Sequence, residues 1–250
     1  MKRWGGLLML VLLGLVSAPV ARARIKTRKE NNRIERAALI INAIMQAPDK
    51  GIPQDFLNRA VCVGVIPSAK KLAFGIGGTY GRGVLVCRQG GNGAWGAPSM
   101  IMVSGGSWGL QIGGEASDVV FIVMSPEAAE KVMGTNLKLG VDVSAAAGPV
   151  GRLAEASTNA HFNAGILTYS RSRGLFAGMS LSGAALKADQ NANLKLYGRN
   201  FTPHDILIPG KVKSPASAKA LDGVLGKYSP HGGKPFSQKA EGSKQKAEKR

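Results

Sequence analysis

A serine between glycines is the clearest catalytic signature in this sequence. Residues 105–109 read Gly-Gly-Ser-Trp-Gly, which matches the Gly-x-Ser-x-Gly nucleophile elbow of α/β-hydrolases. Asp118 or Asp142 and then His161 follow in the order of residues that those enzymes use. An elbow needs a helix directly after the serine, but the residues after Ser107 alternate as in a strand. We therefore predict a glycine-rich hairpin turn at Ser107, no catalytic residue and no enzyme activity, with a serine hydrolase as a remote alternative.

Nucleotide and metal sites have weaker signatures. Residues 75–81 resemble a dinucleotide-binding loop, but Tyr80 stands where the motif requires glycine, and a strand pattern follows where the motif requires a helix. Cys62 and Cys87 have no histidine or further cysteine at metal-ligand spacing, and His161 alone cannot form a metal site. We therefore predict neither a cofactor nor a metal ion.

Basic residues in two parts of the chain could bind phosphate groups. One group, at residues 24–36, lies near the N-terminus in a basic leader and the start of the first predicted helix. The other follows Pro67-Ser68 and includes Arg82 and Arg88. If these strand ends converge, they would attract phosphate or lipid head groups; an ordinary solvated strand end is the alternative. The predicted lipid-binding residues are Arg28, Lys29, Arg33, Arg36, Lys70, Lys71 and Arg82.

The net charge of +18 does not indicate a nucleic-acid-binding groove. Residues 60–200 carry twelve Lys and Arg against seven Asp and Glu, so the basic excess lies mainly at the two ends of the chain. Aromatic residues make up only 6% and do not alternate with basic residues as in a base-stacking surface. No nucleic-acid partner is predicted.

The first 23 residues have the pattern of a signal peptide. Lys2 and Arg3 precede an apolar run at 7–16, and Ala21-Arg22-Ala23 supplies the small residues that signal peptidase recognises. The sequence predicts cleavage after Ala23 and a periplasmic or extracellular protein. An uncleaved N-terminal anchor is the alternative.

The two cysteines fit two interpretations. In an oxidising compartment Cys62 and Cys87 could form one disulfide bond. Both also lie in apolar β-branched runs, which suit buried free thiols equally well. The sequence leaves the choice open.

Hydrophobic spacing predicts the elements that position these residues. Residues 31–47 show the i, i+3, i+4, i+7 spacing of an amphipathic helix that Pro48 ends, and Pro53 opens a second short helix. Ser125-Pro126 predicts the start of another helix, and residues 189–197 a last one. Between these helices, short β-branched runs separated by glycines predict successive antiparallel strands. The predicted strands cover 61–66, 72–76, 83–88, 99–103, 108–113, 119–124, 137–144, 160–170 and 175–186.

These elements predict an α+β fold: an antiparallel β-barrel or sandwich with an N-terminal amphipathic helix and a few short helices. The 34 glycines argue against a helical bundle, because glycine destabilises helix interiors. Beyond the strands the chain becomes rich in Lys, Gly, Ser and Pro, which predicts disorder. The predicted organisation is a signal peptide at 1–23, a basic leader at 24–30, one domain at 31–210 and a basic disordered tail at 211–250.

Several motifs, in order along the chain, resemble the SYLF domain family. The resemblance implies a non-enzymatic domain that binds phosphoinositides or other anionic lipids, with an N-terminal amphipathic helix at the membrane and actin regulation in eukaryotic members. One departure is Gly96-Ala97, where the family commonly has Ser or Pro followed by Pro. The motifs are at residues 66–71, 75–78, 81–85, 93–99, 108–115, 139–151, 168–178 and 197–198.

Export changes which of these ligands the domain can meet. An exported domain would not encounter cytosolic phosphoinositides or actin, so the identity of the lipid stays open. We predict an exported lipid-binding module with an anionic lipid or membrane surface as its partner. The alternative is a structural or protein-interaction domain of the cell envelope that binds an envelope protein.

Overall fold

A computed structural model describes residues 18–47, 51–134, 136–150, 164–172, 175–178, 181, 183–208 and 211–230. Within these residues the helices are α1 (Ala18–Met45), α2 (Gln54–Arg59), α3 (Pro126–Val132), α4 (Gln190–Tyr197), α5 (Pro203–Leu207) and α6 (Ala218–Tyr228). The strands are β1 (Cys62–Cys87), β2 (Ser99–Val123), β3 (Asn136–Lys138), β4 (Ala145–Ala147), β5 (Ile166–Ser172), β6 (Leu175–Gly178) and β7 (Ala185–Ala188). They form one mixed sheet, so the predicted α+β class is confirmed.

Two long antiparallel strands, β1 and β2, form a ribbon that curls back on itself. A straight strand of this length would span about 80 Å at about 3.3 Å per residue. The ends of β1 nevertheless meet, because Cys62 and Cys87 form a disulfide bond with their Cα atoms 3.9 Å apart. The ribbon bends where the register shifts, between Ile66 and Ala69 and between Phe74 and Ile76. The cysteine pairing that the sequence left open is thus a disulfide that joins the two ends of one strand.

The glycines of the ribbon lie inside strands, so the prediction of six separate strands from 61 to 124 was wrong. Glycine is required where the ribbon crosses itself: a Cβ atom on Gly83 would lie 2.1 Å from the Val65 carbonyl oxygen. The predicted hairpin turn at Ser107 was also wrong, because Ser107 pairs with Gly77 within β2. Glycine in these strands therefore marks close approach of backbone rather than a turn.

The remaining strands extend the sheet from β2. The strand order is β3-β7-β2-β5-β4, with β1 on β2 and β6 on β5. All pairs are antiparallel except β4 with β5. The later predicted strands are shorter than expected, and residues 175–186 divide into β6 and β7. Residues 151–163, which hold the start of one predicted strand and His161, lie outside the described residues.

Two apolar cores cover the two faces of the sheet. On one face the apolar stripe of α1 packs with alternate residues of β1 and β2, and Ile34, Ile41 and Ile44 are buried there. On the other face α3 and α5 pack against the intervening residues, such as Leu85 and Phe121. None of the helices among the described residues has the length and apolar character needed to cross a membrane.

The C-terminal helix α6 contradicts the predicted disordered tail over residues 218–228. Leu221 and Leu225, one helical turn apart, are fully buried in the same core as α1. The Tyr228 hydroxyl donates a hydrogen bond of 3.1 Å to Asn42 Oδ1 of α1. The basic composition of this region concealed two apolar positions at helical spacing, and both are buried where the helix packs on the core. Residues 231–250 of the predicted tail lie outside the described residues.

Candidate functional site

Helix α1 meets the bend of β1 at a hydrogen bond that brings two predicted basic groups together. Arg36 Nη2 donates to Ser68 Oγ over 3.0 Å. Ser68 has a φ of 51° at the bend, and its backbone N–H donates to Asp118 Oδ1 over 3.0 Å. Lys70 and Lys71 follow directly and are exposed. The basic side of α1 and the basic part of β1 therefore share one surface.

A cluster of charged residues lies beside this surface, where α1 passes over β1 and the start of α4. Arg33 Nη1 lies 4.0 Å from Asp189 Oδ2, and Arg82 Nε lies 3.5 Å from the same oxygen. Arg82 Nε also donates a hydrogen bond of 2.7 Å to the Tyr80 hydroxyl. The side chain of Arg82 is 47% exposed, whereas that of Asp189 is 2% exposed. One buried carboxylate thus faces two guanidinium groups, one of which reaches solvent.

The carboxylates in this cluster are incompletely hydrogen-bonded. Asp189 Oδ1 caps α4 by accepting from the Ala192 N–H, but Asp189 Oδ2 has no hydrogen-bond partner among the described residues. Glu30 is buried on α1, and its Oε2 likewise has none. Burial lowers the pKa of Arg33, although the charges of Asp189 and Glu30 act in the opposite direction. The hydrogen bond to Tyr80, followed by the charge of Asp189, raises the pKa of Arg82.

The surface defined by the seven predicted basic residues, here called the basic face, has exposed and paired members. Arg28, Lys29 and Arg36 are exposed along α1, as are Lys70 and Lys71 on β1. Arg33 and Arg82 are paired with Asp189. Leu39 is an exposed large apolar residue of α1, at 68% exposure. The sequence missed Asp189 and Glu30, since Asp189 carried only the signal of a helix cap.

Arg88, which the sequence grouped with the strand-end cations, lies in a different environment. It is 3% exposed, and its guanidinium donates to the carbonyl oxygens of Ala60, Gly93 and Ser229. It also stacks on Trp95, 4.0 Å from the ring centroid. Burial lowers the pKa of Arg88 to about 10. Arg88 therefore joins the end of β1 to the end of α6 and does not belong to the basic face.

Both aspartates of the hydrolase alternative accept hydrogen bonds from backbone N–H groups. Asp118 accepts from the N–H of Ser68, and Asp142 Oδ2 accepts from the N–H of Lys138 over 2.7 Å. Strand β2 continues through Ser107, where a nucleophile elbow would need a helix. Within the described residues, no group of three His, Cys, Asp or Glu side chains is placed to hold a metal ion.

A curled mixed sheet crossed by a basic helix defines this chain as an α+β domain with a charged surface. The chain belongs to the SYLF family: the profile of the family described as "Las17-binding protein actin regulator" (Ysc84) matches residues 104–228. That match ends at the last residue of α6, which supports α6 as part of the domain. The family is described by protein binding and actin regulation rather than by a catalysed reaction.

Three relatives illustrate the likeness. Protein YSC84 of Saccharomyces cerevisiae is 37% identical over 214 residues, which cover 84% of this chain and 45% of the relative. LAS seventeen-binding protein 3 of the same yeast is 36% identical over 84% of this chain and 46% of its own length. The human SH3 domain-containing YSC84-like protein 1 is 37% identical over 72% of this chain and 52% of its own length. The chain thus spans about half the length of these relatives.

Proposed function

We propose that this chain is an exported, non-enzymatic module that binds anionic lipid surfaces through its basic face. The observation that carries the proposal is the contact between Arg36 and Ser68, which joins the basic residues of α1 to exposed Lys70 and Lys71. A continuous group of cations on one surface is attracted to an anionic bilayer by about 1 kcal/mol per basic residue. Membership of the SYLF family is consistent with a binding role.

Electrostatic attraction supplies most of the binding in this proposal. The apolar stripe of α1 is used in the core, so Ile34, Ile41 and Ile44 are not available to enter a bilayer. Leu39 is exposed among the basic residues of α1 and adds a small apolar contact. Because salt screens exposed charges over about 10 Å at 0.1 M, binding should weaken steeply as ionic strength rises.

The test compares vesicle binding by the parent and a variant in which Arg28, Lys29, Arg33 and Arg36 are all replaced by Gln. Three of these residues are exposed, so co-sedimentation with phosphatidylglycerol vesicles at low salt should weaken by roughly a hundredfold, from about 1 kcal/mol for each. Vesicles of phosphatidylcholine alone should bind neither protein. Deletion of residues 236–250, which also removes basic residues, should weaken binding less than the quadruple substitution.

The same experiment can contradict the N-terminal part of the basic face. Circular dichroism would first establish that the quadruple variant is folded. If the variant binds anionic vesicles as tightly as the parent does, α1 is not part of the lipid site, and Lys70, Lys71 and Arg82 become the residues to replace.

Export is supported by the disulfide and by the signal-like first 23 residues. Disulfides persist in oxidising compartments, and Cys62 is bonded to Cys87 here. Protein purified from its native host should begin at Arg24 and should show no reactive thiol after denaturation without reductant. A chain that begins at Met1 in the cytosol with two free thiols would contradict export.

The second candidate function is a protein-interaction domain of the cell envelope. It is favoured by the names of relatives such as LAS seventeen-binding protein 3, which states binding to another protein. The vesicle experiment separates the two candidates, since this alternative predicts no difference between anionic and neutral vesicles. Cross-linking in the native host followed by mass spectrometry would then identify the protein partner.

A further inference from the structure

The Arg33–Arg82–Asp189 cluster holds cations that are attracted to a carboxylate without being fully hydrogen-bonded by it. Both distances to Asp189 Oδ2, 3.5 Å and 4.0 Å, exceed those of ordinary charge-assisted hydrogen bonds. Arg33 Nη1 and Asp189 Oδ2 are both buried without a hydrogen-bond partner among the described residues. Of the two arginines, Arg82 is half exposed, so its guanidinium group is open to a better-placed acceptor.

Asp189 in turn depends on these arginines. A carboxylate with 2% exposure is unfavourable without nearby positive charge, so the arginines stabilise it where it lies. The neighbouring buried carboxylate of Glu30 adds to the negative potential around Arg33. The buried carboxylates of Asp189 and Glu30 thus largely neutralise the positive charge of Arg33 and Arg82.

We propose that Asp189 competes with lipid phosphate for Arg82 and thereby limits the affinity of the basic face for anionic membranes. This inference rests on the proposed lipid binding and assigns a residue that restrains it. Asp189 Oδ2 lies 3.5 Å from Arg82 Nε, and carboxylate and phosphate are both anions that pair with a guanidinium group. The negative charge of Asp189 therefore lowers the attraction that a phosphate meets at Arg82. Arg82 is half exposed and donates to Tyr80 through its inner nitrogen Nε, so it is the arginine that a phosphate at the surface reaches first.

The variant Asp189→Asn separates the charge of Asp189 from its role as a helix cap. Asparagine caps helices as well as aspartate does, so the hydrogen bond to the Ala192 N–H is kept while the carboxylate charge is lost. Freeing one arginine should strengthen binding to phosphatidylglycerol vesicles about fivefold, which corresponds to about 1 kcal/mol. The matched control is Glu130→Gln, which changes the net charge equally at an exposed position on α3, on the opposite face of the sheet. It should alter binding less than twofold.

A double-mutant cycle tests whether the gain acts through the arginine. In the Arg82→Gln background, adding Asp189→Asn should change vesicle affinity less than twofold, because the competed arginine is already absent. A gain of the same size in both backgrounds would overturn the proposal, as would Asp189→Asn binding no more tightly than Glu130→Gln.

A comparison within variants that keep Asp189 covers the case in which Asp189→Asn fails to fold. If Asp189 restrains Arg82, Arg82→Gln should weaken vesicle binding less than twofold, whereas Lys70→Gln should weaken it about fivefold. Equal losses for the two variants would overturn the proposed competition.

Failure of this inference can be distinguished from failure of the proposed lipid binding. If the parent binds the vesicles and the cycle shows no coupling, only this inference fails. If neither the parent nor Asp189→Asn binds anionic vesicles, the proposed lipid binding fails with it.

Discussion

Arg82 and Arg88 are close along the chain, yet their surroundings differ completely. Arg88 is buried, donates to three backbone carbonyls and stacks on Trp95. Arg82 is half exposed, with one hydroxyl partner and a carboxylate at 3.5 Å. A buried guanidinium that donates from all three of its nitrogens holds the fold together, whereas one with fewer partners near solvent is available to a ligand. The number of satisfied donors, not the residue type, separates a structural arginine from a binding one.

The largest expected effect comes from Arg88→Gln. Glutamine cannot reach the carbonyls of Ala60, Gly93 and Ser229 together, so buried acceptors lose a charged donor. We expect a loss of about 3–5 kcal/mol in the free energy of unfolding, measured by urea denaturation. A loss below about 1 kcal/mol would show that Arg88 does not join β1 to α6.

The second prediction tests whether α6 unfolds together with the part of the sheet that Arg88 joins to it. Leu221 is fully buried, so Leu221→Ala should cost about 2–4 kcal/mol. Leu39→Ala, at an exposed position on α1, is the matched control and should change stability by less than about 0.5 kcal/mol. An unchanged urea midpoint for Leu221→Ala would show that α6 is not docked on the core, as the composition of this region predicts.

The third prediction concerns a carboxylate on α6. Burial raises the pKa of Asp222 to about 6, and its Oδ1 is buried without a hydrogen-bond partner among the described residues. Because the unfolded chain releases this proton near pH 4, the folded protein holds more protons between about pH 4 and pH 6. Stability should therefore fall as pH rises through that window and level off above it.

Asp222→Asn should remove this pH dependence. The variant should be more stable than the parent by about 1–2 kcal/mol at pH 8 and nearly equal to it at pH 4, as measured by urea denaturation at both pH values. Parallel stability curves for the two proteins from pH 4 to pH 8 would show that Asp222 is not destabilised by burial.

The smallest effect on stability is expected at the other arginine. Arg82→Gln makes the same chemical change as Arg88→Gln, but Arg82 is half exposed, and Arg33 stays beside the buried Asp189 when Arg82 is replaced. The loss should therefore be about 1 kcal/mol, and the urea midpoint should move little. If Arg82→Gln lowers the free energy of unfolding as much as Arg88→Gln does, Arg82 is a structural arginine like Arg88.

Local signals predicted several elements well. Ser125 caps α3 with Pro126 in its first turn, as the sequence indicated, and the helix predicted over residues 189–197 is α4. The burial of Ile34 and Ile41 follows the stripe that their spacing predicted. Such features depend on neighbours within a turn of helix, so short-range patterns suffice to find them.

Long-range features were predicted less well. Glycine pairs look alike in sequence whether they form turns or lie where backbones cross, and only the crossing of Gly83 with Val65 distinguishes the two. The two leucines of α6 gave too weak a pattern within a basic segment to predict docking. The sequence predicted Arg33 and Arg82 as basic site residues, but it did not predict that Asp189 lies beside both of them.

The amino-acid sequence by itself determined the α+β class, the SYLF family and the positions of most helices, because periodicity, caps and ordered motifs are local properties of the chain. Only the tertiary structure decided that the ends of β1 meet in a disulfide and that Arg88 lies in the interior. It also decided that Asp189 faces Arg33 and Arg82. These three residues come from separate elements, and their meeting depends on how the ribbon curls beneath α1, which no local spacing encodes.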